Sequence, residues 1–193
     1  MTGIELKKSQ NNFAPAQGRE DNLLSLYTSA RESFAADDFD GASRFCRKAS
    51  TAKISAEELP TLCEVYYLGC LAAMKSSRPD EVIDICSGAR ARLGDFLDLA
   101  FFELIAASSI NAVVEVPRLA EKYMRLWKLT NKEDHPYKQH TFGLAGQVML
   151  MWGQALEQLG EPVEALTIYK QYLNLHPEDR IIESRIVELE TLK

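Results

Sequence analysis

From residue 21 onward, apolar positions recur every three or four residues, the spacing that lines one face of an α-helix. The period-two alternation and turn dipeptides of β-hairpins are absent, so no segment reads as a strand. Proline punctuates the pattern. Pro60, Pro79, Pro117, Pro136, Pro162 and Pro177 each precede a helix-periodic stretch. Proline suits a first helical turn because its missing N–H has no intrahelical partner there and its φ is already helical. Gly94, Asn131 and Gly160 follow periodic stretches and read as stops, since both residue types tolerate the left-handed backbone that closes a helix. Ser55-Ala-Glu-Glu58 has the form of a capping box and competes with Pro60 as a helix start. These signals predict nine helices, at about 21–36, 39–52, 58–76, 79–92, 96–111, 117–130, 137–159, 162–175 and 178–192. Residues 1–20 are polar and irregular and read as a flexible tail, leaving 21–193 as the folded domain. Short connections make consecutive helices antiparallel, giving four hairpins and a ninth helix over the last.

The stretch from Gly146 to Pro177 carries an ordered set of small and aromatic residues. Gly153 stands where two helices approach most closely, and Gly160 stands at the turn. Ala165 is the small residue of the second helix, Tyr169 an aromatic wedge and Pro177 a closing proline. On these residues the hairpin resembles a tetratricopeptide repeat, with Trp152 and Leu156 in place of the usual Leu and Tyr. Three degenerate copies align through Ala42, Val82 and Ala120, which with Ala165 are spaced 40, 38 and 45 residues apart. The usual period is about 34, so each unit carries longer helices or loops. The resemblance implies an all-α, right-handed superhelical array of antiparallel helix hairpins, a tetratricopeptide-like solenoid. The last helix would act as a C-terminal cap, with Ile182, Ile186 and Leu189 on its apolar stripe. An irregular all-α domain with one repeat-like hairpin is the plainer alternative.

Composition limits the remaining choices. The 193 residues are 46% hydrophobic and 26% charged, enough to bury a core. A net charge of −6 disfavours general attraction to nucleic-acid phosphates. Cys46, Cys63, Cys70 and Cys86 show no CxxC spacing and sit in apolar helical stretches, so they read as buried reduced thiols. The first residues lack the apolar core of a signal peptide. The two most apolar stretches, Thr141–Leu156 and Leu97–Val116, are too short or interrupted by Asp98, Glu103 and Glu115. A cytoplasmic protein without direct membrane insertion is expected, and an anchor beyond this chain stays open.

The search for chemistry yields little. There is no phosphate-binding glycine loop, no HExxH and no Gly-x-Ser-x-Gly. His135 and His140 have poor metal spacing, and His135, His140 and His176 read as surface or boundary residues. Asp37-Asp38 and Glu133-Asp134 read as turn or N-cap carboxylates. No catalytic, cofactor-binding or metal-binding residue is assigned, and no cofactor is expected. Arg118, Lys122, Arg125 and Lys128, continued by Lys132 and Lys138, recur at three or four residues. They read as an exposed helix face or a docking patch for an acidic peptide or membrane surface.

The resemblance further implies a non-enzymatic adaptor or scaffold that holds a partner peptide or helix on its concave face, lined by the first helix of each hairpin. The corresponding residues are Tyr27, Arg31, Tyr67, Leu71, Gln154 and Glu157. The carboxylate clamp of chaperone-tail binders is missing, because Tyr27, Arg31, Leu68, Phe102 and Ala106 stand at its positions. The alternatives are a secretion or assembly chaperone shielding a client segment, and the soluble region of a membrane-tethered docking factor.

Overall fold

The computed structural model describes residues 22–130 and 137–191. Among them are nine α-helices and no strand: α1 Leu23–Ala35, α2 Phe39–Ser50, α3 Leu59–Lys75, α4 Pro79–Leu93, α5 Leu97–Ser109, α6 Val116–Leu129, α7 Ala145–Gln158, α8 Pro162–Leu175 and α9 Arg180–Thr191. The expected tail at 1–20 and the stop at Asn131 lie outside the described residues. Each helix packs on the next in sequence, and α3 also touches α1 and α5. Among the described residues no helix is long and apolar enough to cross a membrane.

The caps follow the local sequence. Asn22 and Asp38 accept backbone N–H groups at the starts of α1 and α2, each at 2.8 Å. The Ser55/Glu58 box caps a short 3-10 helix, Ala56–Glu58, which leads into α3 with Pro60 in its first turn. Pro79, Pro117 and Pro162 also stand in first turns. Pro177 does not open α9. That start belongs to Asp179, whose carboxylate accepts from the N–H groups of Ile181 and Ile182 at 3.1 Å.

The same bend closes all four hairpins. Asp37, Ser77, Asn111 and Gly160 have φ between 56° and 77°, in the left-handed region. The N–H of the following residue bonds back to the carbonyl five residues earlier: Asp38 to Ser33, Arg78 to Ala73, Ala112 to Ala107 and Glu161 to Leu156, each at 2.9 Å. Ala42, Val82, Ala120 and Ala165, the aligned small positions of the second helices, are all fully buried. At Gly153 a Cβ would overlap the Tyr169 ring, so glycine lets α7 and α8 close up.

The seventh helix is shorter than its pattern suggests. It begins at Ala145, after a 3-10 turn at Phe142–Leu144, and not near residue 137. Side chains capture the intervening backbone before a helical ladder can form. Asp98 accepts from the N–H groups of His140 and Thr141, at 3.2 and 2.8 Å. The Tyr123 hydroxyl donates to the Thr141 carbonyl at 2.5 Å, and Trp127 Nε1 to that of Phe142 at 3.0 Å.

Two apolar cores meet at α5. Leu99, Phe102 and Ala106 face the core built by α1–α4, while Leu97, Ala100 and Leu104 face the core of α6–α9. The last helix closes that second core with Ile186 and Leu189 buried and Ile182 partly so. Lys170 and Glu190 add an ion pair at 2.6 Å between α8 and α9.

Candidate functional site: the first-helix face

The face carried by α1, α3 and α5 holds a polar row that crosses from helix to helix. The Arg31 guanidinium lies 5.8 Å from the centre of the Tyr27 ring. The Tyr27 hydroxyl donates to Glu64 at 3.4 Å. The second Glu64 oxygen meets His140 Nε2 at 2.8 Å, and the His140 ring stacks on Tyr67 with centroids 3.9 Å apart. Tyr67 in turn meets Phe102 edge-on at 5.4 Å. His140 belongs to the segment before α7, so the chain lays a piece of itself across Tyr67.

Asp98 anchors that segment. Its side chain is only 2% exposed and accepts from the Thr141 hydroxyl at 2.7 Å as well as from the two amides. Burial raises its carboxyl above the ordinary aspartate value, and the bonds from Thr141 and His140 offset that rise only in part. Tyr137 packs edge-on against Phe96 at the start of α5, with centroids 5.5 Å apart.

Of the residues expected to meet a partner, Tyr27, Arg31 and Tyr67 lie along this row. Leu71, one turn beyond Tyr67, is half-buried against the α1–α4 core. Gln154 is exposed and lies elsewhere, beside Ser108 and Asn111 at the turn between α5 and α6. Glu157 points to the other end. It accepts from the Tyr169 hydroxyl at 2.7 Å and from Arg185 of α9, and those bonds from Arg185 hold its carboxyl below the ordinary range. The first-helix face therefore gathers the N-terminal four of the six residues and leaves Gln154 and Glu157 apart.

Sequence reading missed Glu64, Asp98 and Thr141, and took His140 for a surface or boundary residue. The carboxylate of Asp98, set between Leu97 and Leu99 in an apolar run, was the available signal, because such a charge needs buried donors.

The basic run is split as well. Lys122 turns inward to Asp95 at 2.7 Å and Glu103 at 3.2 Å, and Arg118 pairs with Glu115 at 2.7 Å. Arg125 and Lys128 stay exposed, so the four do not make one patch. Glu133-Asp134, His135 and Lys132 lie outside the described residues.

All four cysteines are buried and free. Burial pushes the Cys46 and Cys63 thiols up to about 12, which suppresses the thiolate and its reactivity. Among the described residues no group of three or more His, Cys, Asp or Glu side chains is placed to hold a metal ion. The carboxylate-clamp positions Leu68, Phe102 and Ala106 are core residues here.

No protein-family model matches the chain, and a search of curated proteins finds no matching relative.

Proposed function

We propose that this chain is a divergent tetratricopeptide-type array, a right-handed solenoid with a C-terminal cap, that acts as a non-enzymatic adaptor. Its partner is another protein, engaged as a peptide or helix along the face of α1 and α3 near Tyr27, Arg31 and Leu71. The observation that carries this reading is the fourfold left-handed bend with a buried small residue on each second helix. Hairpins closed alike stack into a wall, and a wall offers area where an enzyme needs a pocket with convergent ionisable groups. The His140 segment covers Tyr67, so an incoming partner meets Tyr27 and Arg31 first. Cytoplasmic residence accords with the buried thiols.

Affinity capture with the intact chain, repeated with Tyr27→Ala/Arg31→Glu, tests the proposal. The double variant is expected to lose its specific partner while staying folded, with a single cooperative circular-dichroism melt at a somewhat lower midpoint. Retention of the same partner set overturns the choice of face. Substrate turnover by the purified chain overturns the adaptor reading itself.

A further inference from the structure

A second surface lies between the second helices α6 and α8. Two adjoining cavities of about 620 and 650 Å³ run along it and share Glu121, Trp152 and Ile168. The floor is apolar: Trp152 and Leu156 come from α7, Ile168 from α8 and Met124 from α6. The two ends expose Val114 at 73% and Leu129 at 76%, among the most exposed large apolar side chains of the described residues. From Arg118 to Leu129 the groove spans 11 helical steps, so it runs about 16 Å, room for about three turns of a helix.

The rim is polarised along that length. Glu161 and Glu164 line the end where α6 and α8 both begin, and Arg125 and Lys128 line the end toward which both run. None of these four carries an ion pair among the described residues. Arg118, the one cation at the acidic end, is neutralised by Glu115. An α-helix presents about half a positive charge at its N-terminus and half a negative charge at its C-terminus. The rim therefore suits one orientation of an added helix.

We infer that the α6/α8 groove takes an amphipathic helix of a partner protein, lying parallel to α6 and α8, basic in its first turns and acidic in its last. Its apolar stripe, at positions i, i+3 or i+4 and i+7, sits over Trp152 and Ile168. This surface is independent of the first-helix face, and either can stand without the other.

A displayed library of helix-forming peptides about 15 residues long, panned against the intact chain, tests this. Enriched peptides are then synthesised and titrated by tryptophan fluorescence. The expected consensus has an apolar stripe with Lys or Arg early and Glu or Asp late, and binding shifts tryptophan emission to the blue. Arg125→Glu/Lys128→Glu is expected to weaken that peptide about tenfold or more, since both basic rim charges change sign, a net change of four units. The peptide with its end charges exchanged is expected to lose a similar factor, and added salt to narrow the gap. Both substituted residues are exposed, and an unchanged melt confirms the variant is folded. Four outcomes overturn the inference: no enrichment, enriched peptides without the charge order, binding untouched by the double variant, or peptides lost only in Arg31→Glu. Concentration-dependent self-association abolished by the double variant reassigns the groove to a second copy and also overturns it.

Discussion

The two grooves between second helices, α2/α4 and α6/α8, are built alike and finished differently. Between α2 and α4 the groove keeps a cavity of about 490 Å³, but side chains bridge its two helices at both ends. Glu81 of α4 accepts from Ser43 and, at 2.7 Å, from Arg47 of α2. Arg78 ties Glu81 at 2.7 Å to Asp40 at 2.9 Å. At the other end Arg92 donates to the carbonyls of Ser50 and, at 2.9 Å, Ala52. Between α6 and α8 no such cross-link exists among the described residues, and Trp152 forms the floor. Polar lacing spends the side chains of a groove on the fold itself. Where it is missing, the same architecture leaves apolar area and unpaired rim charge available to another molecule.

The contrast can be broken at its base. Gly153→Val forces a side chain into the Tyr169 ring and separates the two helices that carry Trp152 and Ile168. Overpacking of this kind costs about 3 kcal/mol, read as a lower urea midpoint, and the groove is lost with it. A midpoint unchanged within error refutes the close approach.

A smaller effect sharpens the comparison. Glu81→Gln is expected to lower stability by about 1–2 kcal/mol, because it removes the charge shared by Ser43, Arg47 and Arg78. Arg125→Gln/Lys128→Gln in the open groove is expected to stay within about 0.5 kcal/mol of wild type. Equal losses from both variants erase the distinction between a laced groove and an open one.

The smallest expected effect is in pH. Burial pushes the Glu81 carboxyl up, but the bonds from Ser43 and Arg47 and the charge of Arg78 bring it below the ordinary value of 4.5. A depressed folded-state value stabilises the protein above the ordinary carboxylate range, and that contribution is lost as pH falls through the lowered value. Stability measured from pH 6 downward is therefore expected to fall less steeply in Glu81→Gln than in wild type. Asp98 has the opposite sign, so its own contribution does not account for that fall.

Much of the architecture was written locally. Ala42, Val82, Ala120 and Ala165 could be aligned because each second helix needs a small residue at its closest approach, and all four are indeed fully buried. Gly153 and Tyr169 were legible as a pair for the same reason. The uneven spacing of 40, 38 and 45 has local causes too: a 3-10 helix at Ala56–Glu58, another at Val113–Glu115 and the irregular stretch before α7. That last stretch was not legible. Helical spacing continued through residues 137–144, but the decisive partners were distant: Asp98 is 43 residues from Thr141, and Glu64 is 76 from His140. Periodicity reports which face of a segment is apolar. It does not report which remote carboxylate will claim its amides. The α6/α8 groove was hidden for a related reason, because Trp152 counted only as a substituted repeat position and Lys122 as one more member of a basic run.

The recurring bend has a consequence for how the four hairpins can be compared. Aspartate, serine, asparagine and glycine occupy one torsional state at the four hairpin tips, so the repeat is stored in dihedral angles rather than in letters. A comparison of residues alone passes over such a likeness. A comparison of backbone torsions along the chain finds four stanzas with the same rhyme.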